Sequence, residues 1–181
     1  MPSKKESRPD AVTTALKFLA SRPRSVAEVR DRLDSRGFEA KDVERAVKSL
    51  IQAGYLDDER FAEILCGSRV RYKNWGPVKI ACELKVKGIS EEIIHRALGS
   101  IGAAVEARTA GTALRKWAKK NGVALPVGRK DRKAVERAFR FLKGRGFSNA
   151  MIFKALDVEE GLEHEGFEHA ERAHAPQFAA G

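Results

Sequence analysis

Asp57, Asp58 and Glu59 stand in a row and are followed by Arg60. Neighbouring carboxylates can carry acid–base chemistry, but only beside a nucleophile, a histidine or a phosphate-cradling loop. None accompanies them here, so catalysis is not expected, and neither a cofactor nor a metal site is readable. Two uses remain. A carboxylate just ahead of a helical run accepts hydrogen bonds from the first free backbone N–H groups and contributes on the order of 1 kcal/mol. Alternatively, Asp57, Asp58, Glu59 and Arg60 contact a basic surface of a protein partner. Capping suits one of the two aspartates and leaves the other open between these readings.

Cations form the second set. Arg69, Arg71, Tyr72, Lys73, Trp75, Lys79 and Lys85 interleave charge with aromatic rings. That mixture suits single-stranded nucleic acid, where bases stack on rings and phosphates meet cations. It equally describes Tyr72 and Trp75 packed in a core beneath solvated cations. Further on, Arg129, Lys130, Arg132, Lys133, Arg137, Arg140, Lys143 and Arg145 face only Asp131 and Glu136. Lys133, Arg137 and Arg140 recur at helical spacing opposite a Val135, Ala138, Leu142 stripe. Arg108, Arg115 and Lys119 make a similar row upstream. Cationic rows turned away from a core can track phosphates, or can simply be solvated.

The charge balance favours a polyanion. The chain of 181 residues has 35 Lys and Arg against 25 Asp and Glu, a net +10. Residues 157–181 hold seven of the acids and one base, so the other 156 residues carry 34 bases and 18 acids, a net +16. Such a body attracts nucleic acid through its field. No apolar run is long enough to cross a membrane. The N-terminus lacks the apolar core of a secretion signal, so a cytoplasmic protein is expected. Cys66 and Cys82 are too few for a disulfide framework or zinc site and read as two buried thiols. His164, His169 and His174 recur every five residues in the acidic tail, a spacing that does not stack them on one helical face.

Helices must position these groups. Asp10 can cap a first helix, Ser25 with Glu28 forms a capping box, and Gly37 and Gly54 end the next two helices. Phe61, Ile64, Leu65 and Tyr72 share a face after Asp57-Asp58. Gly76-Pro77 starts another helix, lined by Val78, Ala81, Cys82 and Leu84 and ended by Gly88. Ser90 caps a short one. Ala103 to Asn121 reads as a long helix stopped by Gly122, followed by a loop from Gly122 to Gly128. Asp131 and Ser148 cap the last two helices. No strand pattern is present.

The chain also repeats. Leu33, Leu84 and Leu142 precede Gly37, Gly88 and Gly146 by four residues. Arg36, Lys87 and Arg145 precede the glycines directly, and Phe38, Ile89 and Phe147 follow them. Val43, Ile94 and Ile152 come six residues after each glycine. Glycine takes the left-handed conformation that ends a helix, and the next apolar residue packs back toward the leucine. The signature therefore reads as structural first. It predicts an all-α tandem array of three three-helix repeats, elongated or curved. The segments are a flexible 1–10, repeats at 11–54, 55–100 and 101–157, and an acidic, disordered tail at 158–181 that could cover the basic body.

Arg22-Pro23-Arg24-Ser25 with Glu28, Leu33 and Arg36-Gly37-Phe38 resembles the first repeat of the bacterial RecX family. The most specific match is Gly54-Tyr55-Leu56-Asp57-Asp58-Glu59-Arg60-Phe61-Ala62. Gly76-Pro77 with Lys79-Ile80, Leu84 and Lys87-Gly88-Ile89 continues it. Phe139, Phe141-Leu142, Arg145-Gly146-Phe147 and Ile152 resemble the third repeat more loosely. The loop around Gly122 to Gly128 is longer and more apolar than the family pattern, and the acidic tail has no counterpart in it. The resemblance implies an all-helical, non-enzymatic regulator of the RecA recombinase, mainly an inhibitor, acting in homologous recombination and DNA repair. Such a protein would lie in the RecA filament groove on single-stranded DNA and limit filament growth, ATP hydrolysis and strand exchange. The expected partners are thus the RecA filament and single-stranded or duplex DNA with little sequence preference, met by a monomer. The alternative is a tandem helix-turn-helix-like transcription regulator, which would read a DNA site through base-contacting helices.

Overall fold

Caps and glycine stops cut the chain into short helices, most of them too short to persist alone in water. The structure is a computed structural model and describes residues 10–127 and 131–156. The residues before Asp10, Arg129, Lys130 and the acidic tail with its histidines lie outside the described residues. Helix α1 (Ala11–Leu19) starts where the Asp10 carboxylate accepts the Thr13 N–H at 2.6 Å. Helix α2 (Val26–Asp34) carries the capping box of Ser25 and Glu28 in full, and α3 (Ala40–Gln52) follows. Helix α4 (Asp58–Ser68) opens on Asp57, which accepts the Arg60 N–H at 2.9 Å. It runs into a π-turn, Arg69–Lys73. Then come α5 (Pro77–Val86), α6 (Glu91–Gly99) and α7 (Ala103–Asn121), with Gly122 left-handed at the end of α7. Helix α8 (Arg132–Gly144) is capped by Asp131, and α9 (Asn149–Leu156) by Ser148, whose hydroxyl accepts the Met151 N–H. No strand occurs among the described residues, as the all-α reading requires.

The helices fall into successive threes, and the repeated signature ends the middle helix of each: α2, α5 and α8. Gly37, Gly88 and Gly146 take φ of +76°, +73° and +85°. In each copy the residue after glycine donates its N–H to the signature leucine's carbonyl: Phe38 to Leu33, Ile89 to Leu84, Phe147 to Leu142. These bonds satisfy carbonyls that a helix end leaves open. Leu33, Leu84 and Leu142 are fully buried.

Two compact units result, divided within α5. Of the described residues, unit 1 takes 10–68 and 81–100, and unit 2 takes 69–80, 101–127 and 131–156. In unit 1, α1 and α2 pack on α3 around Ala15, Val29, Leu33, Val47 and Leu50, while α4 packs on α6. In unit 2, α7, α8 and α9 enclose Ala138, Leu142, Phe147 and Ile152. The loop after α7 adds the buried Val127 to that core.

Four burial expectations need correction, the first being Ile64, which is 47 % exposed. Cys66 is buried but Cys82 is exposed. In α5 the buried pair is Ile80 and Leu84, four residues apart, whereas Val78 is 57 % exposed. Tyr72 is 71 % exposed. The π-turn explains Tyr72, because its wider winding breaks the α-helical register that joined it to Phe61 and Leu65.

Candidate nucleic-acid interface

The cations are unevenly divided. The described residues of unit 1 hold 13 Lys and Arg against 14 Asp and Glu, a net −1. Those of unit 2 hold 16 against 3, a net +13. The basic character of the described chain is therefore a property of unit 2.

Within it, the π-turn holds Arg69, Arg71, Tyr72 and Lys73 at the surface, with Trp75 just beyond. Asn74 closes the turn at φ +50°, a left-handed conformation that asparagine tolerates better than most side chains. It is buried, and its Oδ1 accepts a 2.8 Å hydrogen bond from Lys116 Nζ on α7. The Trp75 N–H reaches back to the Arg69 carbonyl at 3.2 Å. Trp75 is half-buried, with the Arg69 guanidinium 5.6 Å and Lys79 Nζ 4.7 Å from its ring centroid. Cations at this range are held by the ring's negative face.

The third copy of the signature fixes this corner. Gly76 N–H donates to the Arg145 carbonyl at 2.8 Å, and Val78 N–H to the Gly146 carbonyl at 3.1 Å. Lys79 Nζ donates to the Gly144 carbonyl at 2.9 Å. The Arg145 guanidinium donates to the Lys73 carbonyl and lies 4.9 Å from the Phe141 ring, which stacks on Trp117. The backbones approach so closely that a Cβ on Gly146 would sit 2.3 Å from the Lys79 nitrogen. The signature thus does more than stop a helix: its carbonyls receive the first N–H groups of α5, the middle helix of the preceding three.

Helix α8 presents the second cationic row. Lys133, Arg137 and Arg140 are exposed, while Ala134, Ala138, Phe139 and Leu142 are buried on the opposite side. The three cations have no carboxylate partner among the described residues. Asp131, one of the few acids nearby, is spent capping α8 at Ala134 N–H. On α7, Arg108, Arg115 and Lys119 are exposed, and Arg115 hydrogen-bonds the Thr112 hydroxyl at 3.0 Å. The predicted cations Arg69, Arg71, Lys73, Lys79, Arg115, Lys119, Lys133, Arg137 and Arg140 therefore share one unit with Trp75. Sequence reasoning left out Asn74 and Lys116. The turn-forming Asn-Trp-Gly-Pro run was the available signal for Asn74.

The carboxylate cluster lies in unit 1 and is drawn into local structure. Asp57 caps α4. Asp58 Oδ1 accepts the N–H of Val26, the first residue of α2, at 2.9 Å. Burial raises the Asp58 carboxyl above its ordinary value, against the lowering effect of that hydrogen bond. Glu59 pairs with Arg96 at 2.8 Å at the surface. The Arg60 guanidinium is exposed and has no partner among the described residues.

Comparison with known proteins agrees with this architecture. Residues 11–50 match the family model described as RecX, first three-helix domain, and residues 57–98 match RecX, second three-helix domain. A regulatory protein RecX of Mycobacterium sp. (strain JLS) is 32 % identical over 174 residues, covering 91 % of this chain and 94 % of that one. One from Legionella pneumophila is 33 % identical over 149 residues, covering 81 % and 92 %. The crystal structure of RecX from Lactobacillus salivarius superposes with a TM-score of 0.71 at 22 % identity, over 81 % of this chain and 92 % of that one. A second crystal structure of a regulatory protein RecX gives 0.69 at 22 % identity, over 82 % and 70 %. At that identity the structures speak for the fold.

Proposed function

The chain belongs to the RecX family, and from that premise we propose that it is a non-enzymatic regulator that restrains the RecA recombinase on single-stranded DNA. Unit 2 supplies the DNA contact. Lys133, Arg137 and Arg140 on α8, with Arg115 and Lys119 on α7, meet phosphates, and Trp75 with the cations of the π-turn meets bases and backbone. Glu59 and Arg60 of unit 1 remain candidates for contact with the protein partner. The observation that carries this reading is the segregation of charge among the described residues, a net +13 in unit 2 against −1 in unit 1. Merely solvated lysines have no reason to collect in one unit.

Phosphate contacts carry little sequence information, so binding should depend steeply on salt and weakly on sequence. The direct test follows ATP hydrolysis by RecA on single-stranded DNA as this protein is titrated in. Hydrolysis should fall near stoichiometric amounts. Unchanged hydrolysis at excess protein contradicts the reading. Tight selection of one duplex site, with RecA unaffected, would support a transcription regulator instead.

A further inference from the structure

Unit 1 contains a groove that neither the helical repeat nor DNA binding uses. It has a volume of about 530 Å³ and lies between the α1–α2 connection and the start of α4. Leu16, Leu19, Tyr55, Phe61 and Ile64 give it an apolar floor, and Arg22, Arg24 and Arg60 stand at its sides. Tyr55 is 62 % exposed and Ile64 47 %, although large apolar groups gain by leaving water. Exposed apolar side chains gathered in a concave, polar-rimmed site mark interaction surfaces.

The charges beside this floor are unbalanced. Asp57, the one carboxylate lining the groove, already accepts the Arg60 N–H. Arg22 and Arg24 share a single acid, Glu28, with Lys87, at 2.8, 3.8 and 2.8 Å respectively. The Arg24 guanidinium carbon sits over Phe18, 3.9 Å from the ring centroid, and its buried Nε–H has no hydrogen-bond partner among the described residues. The Arg60 guanidinium is exposed and has no partner among the described residues. The unmet donor on the largely buried Arg24 is costly, and a carboxylate would relieve it, while Arg60 offers an exposed cation to the same partner. The groove therefore asks for apolar side chains flanked by acids. Nucleic acid answers the charge but leaves Tyr55 and Ile64 uncovered by aliphatic groups.

We propose that this groove docks an acidic-apolar segment of a partner protein, its large side chains seated on Leu16, Leu19, Tyr55 and Ile64 and its carboxylates on Arg24 and Arg60. The proposal rests on the regulator reading only in expecting a protein partner. It gives that partner a surface on unit 1, distinct from the cationic face of unit 2.

The test uses the full chain and a short synthetic peptide with a central Leu-Phe pair flanked on each side by Glu-Glu, followed by NMR. The peptide should move the methyl signals of Leu16, Leu19 and Ile64 and the ring signals of Tyr55. A Tyr55→Ser/Ile64→Ser variant changes exposed positions only, so it should fold, and should weaken binding by about tenfold or more, which corresponds to 1.4 kcal/mol. Replacing the peptide's glutamates with glutamine should weaken it as well. Shifts confined to Lys133, Arg137 and Arg140, equal binding by the variant, or no shift at all would overturn the proposal. So would movement of the groove signals on concentrating the protein without peptide, since a second copy would then be the occupant. Neither RecA nor DNA is in the sample, so failure here and failure of the regulator reading remain separate results.

Discussion

The two units use the same joint and build it from different chemistry. In unit 1 the second copy of the signature meets the start of α2. The Ser25 hydroxyl accepts the Glu28 N–H at 3.1 Å and donates to the Lys87 carbonyl at 2.7 Å. Lys87 Nζ binds Glu28 at 2.8 Å, and Asp58 takes the Val26 N–H. In unit 2 the third copy meets the start of α5 without any carboxylate: Gly76 and Val78 donate backbone N–H groups to the Arg145 and Gly146 carbonyls, and Lys79 Nζ donates to the Gly144 carbonyl. Pro77 has no N–H, so nothing like Asp58 is needed there. The difference extends to the surface. Unit 1 spends its cations in pairs such as Arg30–Glu44, Lys85–Glu91 and Arg96–Glu59. Unit 2 has 3 described acids for 16 bases and leaves Lys133, Arg137 and Arg140 facing water. A joint that consumes no carboxylates suits a unit whose cations serve a polyanion.

Substituting the signature glycines breaks this comparison hardest. A Cβ on Gly146 meets the Lys79 backbone at 2.3 and 2.9 Å, at φ +85°. Neither backbone can yield locally, so Gly146→Ala should cost more than about 4 kcal/mol in denaturant unfolding. At Gly88 the obstacle is the Ala27 Cβ at 2.4 Å, at φ +73°. Helix α2 can shift slightly, so Gly88→Ala should cost about 2–3 kcal/mol. Gly37 has open space and only its positive φ, so Gly37→Ala should cost about 1 kcal/mol. Equal costs at all three would mean the signature is only a helix stop and the joints contribute nothing.

Removing a side-chain cap should separate the units more gently. Ser25→Ala deletes the α2 cap and strands the Lys87 carbonyl, a loss of about 1–2 kcal/mol in the same assay. No polar side chain occupies the matching position in unit 2, where Gly76 stands. The smallest effect is with pH. Burial alone would raise the Glu28 carboxyl, but hydrogen bonds from Arg22, Lys87 and the Ser25 N–H outweigh it and bring it from 4.5 to about 2. A lowered carboxylate stabilises the fold above its unfolded value and loses that contribution as pH falls through the folded one. Stability should therefore decline between about pH 4.5 and pH 2, and Glu28→Gln should flatten that part of the curve.

Local signals made most of the fold legible in the sequence. Asp10, Ser25 with Glu28, Ser90, Asp131 and Ser148 each cap the helix their position announces, because a cap is decided within three residues. The spacing of leucine, glycine and the next apolar residue became a backbone hydrogen bond for the same reason. What sequence reading missed is non-local. Asp58 accepts the first N–H of α2, 32 residues upstream, and nothing beside it says so. The meeting of Gly146 with Lys79 is equally invisible along the chain. Tyr72 left the core because the π-turn changed the register behind it, and Val78 and Cys82 because Ile80 and Leu84 fill the interior. The candidate interface was half readable. The cations and Trp75 are plain in the sequence, whereas their collection in one unit depends on how the chain is divided in space.

That collection is the centre of the account, and salt tests it. Single-stranded DNA affinity would be measured across a salt series for the wild type and for the Lys133→Ala/Arg137→Ala/Arg140→Ala variant. If α8 tracks phosphates, the variant binds more weakly at low salt, and its log–log slope is shallower by about 2, the loss expected for three phosphate contacts. Superimposable lines for the two proteins would show that these cations are solvated and that the DNA surface lies elsewhere.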